Sequence, residues 1–242
     1  MIAGQTILAV FAHPDDESVA GPVLARYARE GNKVYLVIAT KGEKGANERA
    51  GIPAGDALAK VRKEEATCAC RQLGIEPPIM IGLNDGEMGA ITSPLGHNIQ
   101  EVADRVTQLI SELHPAAVIT WGADGGYGHP DHRLVGDAVT QAIQSSKSDV
   151  KLYYVGFSPT QTELVDKMWP IKWHATDPAY LTVHVSFSKA DLTASQHALE
   201  CHKSQFAPEQ VNKLEDALDK GWDQQVLFRP WFSDKASDDL LK

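Results

Sequence analysis

The chain has 242 residues, 43% of them hydrophobic and 23% charged, and is long enough to bury a full hydrophobic core. Its 32 acidic residues outnumber 23 basic ones and leave a formal charge of -9, which disfavours binding to nucleic acid or to an anionic membrane surface. No apolar stretch reaches the roughly 18 residues that a membrane span needs. The N-terminus lacks the pattern of a secretory signal, so the sequence predicts a cytoplasmic protein.

Cysteine usage points the same way. The chain has three cysteines, of which Cys68 and Cys70 are spaced Cys-x-Cys within a helical pattern and Cys201 lies far away. This odd number and spacing match neither a disulfide framework nor a CxxC zinc or redox motif. We therefore expect buried free thiols in a reducing compartment.

Short apolar runs alternate with amphipathic helical patterns along the first two-thirds of the chain. The predicted strands are 6–12, 33–40, 78–83, 116–121 and 150–157, and the predicted helices between them are 17–30, 56–73, 99–113 and 129–145. This alternation is typical of βαβ units, and continuous apolar strands favour a parallel sheet buried on both faces. We expect an α/β fold, a single Rossmann-like domain over 1–242, with a mostly parallel sheet in the order 3-2-1-4-5 flanked by helices.

The last third of the chain has a less regular pattern. It contains a predicted helix over 161–168, a Trp/Pro-rich passage over 169–178, a strand over 180–187, a helix over 189–204 and a tail with Trp222, Trp231 and Phe232. No linker, repeat or low-complexity tract separates it from the rest, so we assign it to the same domain. We expect the aromatic tail to pack against the sheet.

Two short polar segments follow predicted strands. Residues 12–17 read Ala-His-Pro-Asp-Asp-Glu after the first strand, and residues 128–132 read Gly-His-Pro-Asp-His after the fourth strand and a glycine-rich loop. Taken alone, each segment could simply cap a helix, with Asp15, Asp16 or His129 as the capping residue. In the order 3-2-1-4-5, however, these two strands are neighbours at the switch point, where ligands bind outside the carboxyl ends of the strands.

Together the two segments would assemble three imidazoles and up to three carboxylates. Carboxylates held close together raise one another's pKa, and a divalent cation removes that conflict. Two imidazoles and one carboxylate, with water in the open position, form a known catalytic zinc site. The pattern predicts a metal-dependent hydrolase with one zinc ion per chain, although another divalent metal would suit the same residue types.

The two motifs, in this order, resemble those of the PIG-L/LmbE-like family of zinc-dependent deacetylases, which remove the acetyl group from N-acetylglucosamine conjugates. Weaker matches lie at residues 40–45, 62–74 and 83–86, and residues 202–205 (His-Lys-Ser-Gln) resemble the family's His-x-Ser-Gln. The resemblance covers residues 6–158 well and the last third weakly. It implies an α/β deacetylase that acts on a small amino-sugar conjugate.

The resemblance also implies roles for individual residues. His13, Asp16 and His132 would ligate zinc. Asp15 would be the general base, and His129 would stabilise the oxyanion or act as general acid. Arg62, Asp85 and Tyr127 would bind substrate, with Tyr127 also a weaker candidate for the oxyanion contact. The residue pattern by itself does not distinguish Asp15 from Asp16 as the ligand.

Some of these assignments have structural alternatives. Arg62 could be a solvated helix charge paired with Glu64 or Glu65, and Asp85 could merely form a turn with Gly86. Asp131 could orient a ligating histidine rather than contact substrate.

The predicted function is hydrolysis of an N-acetyl or other N-acyl group. A metal-dependent phosphoesterase is the alternative enzyme, but it would prefer two metals and more carboxylates. A non-catalytic sugar- or nucleotide-binding module is the third interpretation, yet no GxGxxG follows the first strand and no GxxxxGK[ST] occurs in the chain. The divergent last third would select the substrate, and the family resemblance allows a homo-oligomer.

Overall fold

The computed structural model describes residues 4–45, 50–89, 91–93, 96–146, 148–167, 171–233 and 235–242. The strands are β1 Thr6–Phe11, β2 Lys33–Thr40, β3 Ile79–Leu83, β4 Ile91–Ser93, β5 Gly96–His97, β6 Ala117–Trp121, β7 Lys151–Gly156, β8 Val183–Ser186 and β9 Gln225–Pro230. The helices are α1 Gly21–Arg29, α2 Asp56–Leu73, α3 Asn98–Leu113, the single turn α4 Gly125–Gly128, α5 Pro130–Ser145, α6 Pro159–Asp166, α7 Lys189–Leu199 and α8 Pro208–Gly221. None of the helices within the described ranges combines the length and the hydropathy needed to cross a membrane.

Seven strands form one mixed sheet in the order β3-β2-β1-β6-β7-β9-β8. The first five of these run parallel, and β1 pairs with both β2 and β6, so that Ala9 lies between Leu36 and Ile119. Strands β9 and β8 extend the sheet in antiparallel orientation. The predicted order 3-2-1-4-5 is confirmed, with β6 and β7 as the fourth and fifth strands. Strands β4 and β5 pair separately.

Helices cover both faces of this sheet. Helices α1, α2 and α7 pack together, and α3 packs against α5. Because the direction of the crossovers reverses between β1 and β6, right-handed connections place the two groups on opposite faces. The reversal leaves a crevice at the carboxyl ends of β1 and β6.

Helix α5 lies close to the end of β6. A Cβ atom added at Gly136 would lie 2.4 Å from the carbonyl oxygen of Trp121. Since neither backbone can yield locally, an alanine there would cost about 1–3 kcal/mol of stability. Gly136 therefore sets the distance between β6 and the helix that carries His132.

Three predicted helices have different bounds in the structure. The one predicted over 17–30 is a 3-10 turn, Asp16–Val19, followed by α1, because Pro22 begins a new helix in the position where proline is tolerated. The helix predicted over 161–168 begins at Pro159, with Ser158 and Gln161 forming its capping box. Residues 168–170 lie outside the described ranges. The helix predicted over 189–204 ends at Leu199.

Helix α8 and strand β9 were not predicted. Strand β9 buries Val226 and Phe228 and lies between β7 and β8, so the aromatic tail region joins the sheet itself. Trp222 and Trp231 pack against the core, as expected, whereas Phe232 is 86% exposed.

The prediction of three free thiols is wrong. Cys68 in α2 forms a disulfide with Cys201, and Cys70 is free and buried. The Cys-x-Cys spacing was uninformative because residues two apart on a helix do not share a face, and the partner of Cys68 is 133 residues away. The bond joins α2 to the segment after α7, and it removes the thiol argument for a reducing compartment.

Candidate active site

The two polar motifs meet at the carboxyl ends of β1 and β6, as the strand order predicted. His13, Asp15 and Asp16 follow β1 directly. His129 is the N-cap of α5, where its Nδ1 accepts the backbone N–H of Asp131 at 3.2 Å, and His132 lies in the first turn. The helix start thus fixes both histidines relative to the β1 loop.

Three side chains face one another at the centre of this cluster. His13 Nδ1 lies 3.2 Å from His132 Nε2. Carboxylate oxygens of Asp16 lie 3.2 Å from His132 Nε2 and 3.7 Å from His13 Nδ1. Donors bound to a tetrahedral zinc ion are separated by about 3.3 Å, given metal–ligand bonds near 2.0–2.1 Å. The donor set and its spacing therefore fit a single metal ion.

The outer nitrogen of each of the two histidines has its own acceptor. His132 Nδ1 lies 3.0 Å from the carbonyl oxygen of Gly125. His13 Nε2 lies 3.2 Å from Asp85 Oδ1 and 3.4 Å from Asp131 Oδ2. These contacts place the ring proton on the outer nitrogen and direct the inner lone pair to the centre, as metal-bound histidines require.

The electrostatics of His13 agree with this arrangement. Burial alone would lower its pKa, but the hydrogen bonds to Asp131 and Asp85 and the charge of Asp16 outweigh burial and raise the pKa of His13 to about 10. The surroundings of this imidazole thus favour positive charge, and a divalent cation supplies such a charge.

Asp16 is held by three N–H groups at one carboxylate oxygen. Its Oδ2 accepts from the backbone of Ala12 and His13, each at 3.0 Å, and from Trp121 Nε1 at 3.1 Å. Burial opposes ionisation, but His132 and the other neighbours hold the pKa of Asp16 far below its usual range. Its second oxygen, Oδ1, is left facing His132.

Trp121 also stacks on the His132 ring, with centroids 4.4 Å apart and planes at 6°. Sequence reasoning did not identify Trp121 as a site residue. The signal that could have found it is its position at the end of β6, directly before the glycine-rich loop.

His129 reaches the same centre. Its ring centroid lies 4.7 Å from that of His13 and 4.8 Å from that of His132. Ligand nitrogens of the three histidines lie within 4.8 Å of one another, so His129 is a second candidate for the third ligand. The shorter distances to Asp16 favour Asp16. Because Nδ1 of His129 accepts the Asp131 N–H, its Nε2 carries the proton of the neutral ring.

Asp15 adopts a left-handed backbone conformation with φ of 105°, which is uncommon for a residue other than glycine. Glu17 accepts its backbone N–H at 3.1 Å, and Arg62 Nη2 donates to Asp15 Oδ2 at 2.9 Å. Burial raises the pKa of Asp15, Arg62 opposes that rise, and the net value is about 6. Its carboxylate can therefore exchange a proton near neutral pH.

Arg62 has a partner that neither interpretation of the sequence named. Its guanidinium donates to the carbonyl oxygens of Gly42, at 2.8 Å, and Pro14, in addition to Asp15. The side chain is only 3% exposed, and it is not paired with Glu64 or Glu65. Arg62 lines the cavity, but these contacts hold the Asp15 loop; a contact with substrate remains a prediction.

Asp85 likewise has a contact that was not predicted. Besides placing its carboxylate beside His13, it donates its backbone N–H to both carboxylate oxygens of Glu43 at 3.1 Å. The loop after β3 is thereby fixed against the candidate ligand. Asp85 also lines the cavity, and its predicted contact with sugar hydroxyls stays a prediction.

The C-terminal motif at residues 202–205 reaches the same loop from the other side. His202 Nε2 lies 2.5 Å from Glu17 Oε1, and both side chains are buried. Ser204 donates its N–H and its hydroxyl to Glu65 in α2, each at 2.7 Å. Since Glu17 holds the backbone of Asp15, the last third of the chain helps to position the residue predicted as base.

A cavity of about 490 Å³ opens beside these residues. Tyr127 stands at its centre, with its ring 5.1 Å from His132 and 5.3 Å from Trp173. Burial raises the pKa of Tyr127, so its hydroxyl stays protonated and can donate a hydrogen bond. A Cβ atom at neighbouring Gly126 would lie 2.8 Å from the Trp121 ring, so the α4 turn requires glycine there.

Comparison with known proteins agrees with this geometry. The family model PIG-L, described as GlcNAc-PI de-N-acetylase, matches residues 8–143. The chain belongs to the PIG-L family. A 1D-myo-inositol 2-acetamido-2-deoxy-alpha-D-glucopyranoside deacetylase of Actinosynnema mirum is 31% identical over 257 residues, which cover 94% of this chain and 90% of that protein.

Solved structures share the fold of this PIG-L protein. The N,N'-diacetylchitobiose deacetylase of Pyrococcus horikoshii has a TM-score of 0.65 at 18% identity, covering 93% of this chain and 83% of that one. The 4-carboxy-2-hydroxymuconate hydratase of Pseudomonas putida KT2440 also has a TM-score of 0.65, at 17% identity, covering 95% of this chain and 97% of that one. Since a hydratase shares the fold, function must be argued from the site.

Proposed function

We propose that this PIG-L protein is a metal-dependent hydrolase that removes the acetyl group from the nitrogen of an N-acetylglucosamine-type amino sugar. The observation that carries the proposal is the placement of His13, Asp16 and His132 around one point, with Asp15 beside them in the same cavity. The relatives from Actinosynnema mirum and Pyrococcus horikoshii are named as deacetylases of N-acetylated amino sugars, which supports the same bond as the target.

His13 through Nδ1, His132 through Nε2 and Asp16 through Oδ1 would hold the ion. Two imidazoles and one carboxylate suit zinc, although Fe(II) takes a similar set, so one zinc ion per chain is part of the proposal. A divalent cation bound there supplies a Lewis acid and lowers the pKa of a water molecule.

Asp15 would be the general base. Its carboxylate accepts the proton of the attacking water and delivers it to the leaving amine, which suits a group with a pKa of about 6. Arg62 and Glu17 keep that carboxylate in orientation from two sides.

His129 would stabilise the oxyanion that develops on the amide carbonyl. Its Nε2–H lines the cavity, and burial together with the nearby His13 and His132 lowers its pKa, which favours the neutral donor. Tyr127 offers a second hydroxyl donor beside it.

The phosphoesterase alternative would need a second metal. His13, Asp85 and Asp131 do place ligand atoms within 4.8 Å of one another. That group uses the outer nitrogen of His13, however, and Asp131 Oδ2 already accepts the Gly86 N–H at 2.7 Å. These hydrogen bonds favour one metal and an amide substrate, and a metal-to-chain ratio of two would favour the phosphoesterase.

The proposal is tested by incubating the zinc-loaded protein with N-acetylglucosamine, its inositol conjugate and diacetylchitobiose, and measuring the free amine released. We expect turnover that a chelator abolishes and zinc restores, with one zinc ion per chain by elemental analysis. Absence of turnover on every N-acetylated amino sugar would overturn the proposal.

Two variants assign the third ligand. We expect Asp16→Asn to lose bound zinc, because it removes a ligand charge. His129→Gln should retain zinc and lose activity by about 10²–10³-fold, as expected for an oxyanion donor. Loss of zinc from His129→Gln with retention in Asp16→Asn would reverse the two assignments.

Location in the cytoplasm belongs to the proposal as well, supported by the absence of a secretory signal pattern in the sequence. The Cys68–Cys201 disulfide speaks against it, because reducing compartments keep thiols reduced. Alkylation of thiols in intact cells before lysis decides the point, since cytoplasmic protein should carry label on both residues.

A further inference from the structure

The cavity beside the candidate metal centre has two chemically different sides. Its charged and imidazole side chains come from the region that the family model matches, residues 8–143. Among the described residues, the cavity-lining side chains from beyond 143 carry no charge. We use the term apolar wall for six of them: Phe157, Val165, Trp173, Leu199, Leu214 and Trp222.

The apolar wall begins at the reacting centre. The Trp173 ring lies 5.3 Å from that of Tyr127, which itself lies beside His132. Phe157 continues the surface, 4.8 Å from Trp173 and 6.2 Å from Trp222. A substrate whose amide reaches the metal centre therefore has part of its structure against this surface.

The chemistry of the wall disfavours a second polyol. An aromatic face can accept the C–H face of a sugar, but Val165, Leu199 and Leu214 offer no hydrogen-bond donor or acceptor side chain. Sugar or inositol hydroxyls buried against them would lose their bonds to water without replacement. An alkyl or aryl group loses nothing and gains from leaving water.

We propose that the substrate carries an apolar group and that the apolar wall binds it. The group is an alkyl or aryl substituent on the sugar, or an N-acyl chain longer than acetyl; both present the same chemistry to the wall. The inference rests on the proposed deacetylase function and names the substrate class of that site.

Two substrate series test it on the zinc-loaded protein, below the concentrations at which the compounds aggregate. One series is N-acetylglucosamine glycosides from methyl to octyl, and the other is glucosamine with N-acyl chains from acetyl to octanoyl. We expect kcat/KM to rise about fourfold per buried methylene in one series, until the wall is covered. The responsive series identifies where the group is attached, and a flat or falling trend in both overturns the inference.

A matched pair of variants locates the effect. Leu214 is half-buried on α8, and Phe232 is 86% exposed away from the cavity lining. We expect Leu214→Gln to reduce the long-chain to short-chain ratio of kcat/KM at least tenfold, and Phe232→Gln to leave it unchanged. An unchanged ratio in Leu214→Gln and in a second variant, Trp173→Gln, would contradict binding at the wall.

A binding measurement separates this inference from the proposed function. Octyl glucoside lacks the amide, so it tests the wall without turnover, and Trp173 and Trp222 report on it by fluorescence. We expect a saturable change with octyl glucoside and none with methyl glucoside. Deacetylation without chain-length dependence would remove only this inference, whereas octyl glucoside binding without any deacetylation would remove only the proposed function.

Discussion

The region matched by the family model and the last third of the chain contribute different things to one site. Residues 8–143 supply the parallel strands, the candidate metal ligands and Asp15. The last third supplies two antiparallel strands, the apolar wall and the buried His202 behind the Asp15 loop. Chemistry shared by a family and the choice of substrate thus reside in separate parts of the chain, yet the second part also holds the first in place.

The largest effect is expected where the first region acts alone. Asp15→Asn keeps the shape of the side chain, and asparagine tolerates the left-handed backbone at this position. We expect kcat to fall about 10²–10⁴-fold, because the proton acceptor is lost, with bound zinc unchanged. The measurements are kcat and metal content. Loss of zinc instead would make Asp15 a ligand, and full activity would remove it from the mechanism.

A second prediction tests whether the last third supports the catalytic loop. His202→Leu leaves the Glu17 carboxylate buried without its partner, and we expect a loss of about 3–5 kcal/mol in the free energy of unfolding. Chemical denaturation measures it. The exposed His197→Leu is the control, with a change below about 0.5 kcal/mol. Equal stability of the two variants would separate the regions energetically.

The Cys68–Cys201 disulfide also links the two regions. Because it closes a long loop, we expect a reductant to lower the free energy of unfolding by about 2–4 kcal/mol. The double variant Cys68→Ser/Cys201→Ser should match the reduced protein and ignore the reductant. An identical melting curve of the native chain with and without reductant would contradict the link.

The smallest effect is expected at Asp191, which bonds Arg29 of the first region and caps α7 through Ser188. Burial raises its pKa, but Arg29 and Ser188 outweigh burial and lower it below the ordinary value. Ionised Asp191 therefore stabilises the fold above the unfolded pKa near 3.9, and this stability is lost as pH falls through the folded pKa.

Asp191→Asn should accordingly cost about 0.5–2 kcal/mol at pH 7, with a smaller difference from the native chain in acid. Urea unfolding at several pH values measures this. The control is Asp216→Asn, which alters an exposed pair with Lys220 and should change stability little. A difference that grows toward low pH would show that the sign is wrong.

Local pattern was a good guide wherever an element is stabilised by its own periodicity. The continuous apolar runs of β1, β2, β6 and β7 predicted buried parallel strands, and their order predicted that His13 and His132 would meet. Strand β9 and helix α8 escaped prediction because their burial depends on neighbours distant in sequence. The roles of individual site residues were implied by the family resemblance and await the experiments above.

The sequence by itself determined the alternating architecture and the two polar segments at the switch point, because strand periodicity and motif position are local properties. Only the tertiary structure decided who contacts whom: Arg62 with Asp15, Glu17 with His202, Trp121 with His132, and Cys68 with Cys201. These contacts join residues from 15 to 185 positions apart or more in different elements, and pairing at such distances leaves no periodic trace in the chain. The opening surplus of acidic residues illustrates the same division, since composition gave its size and the fold placed Asp15, Asp16, Asp85 and Asp131 around one imidazole cluster.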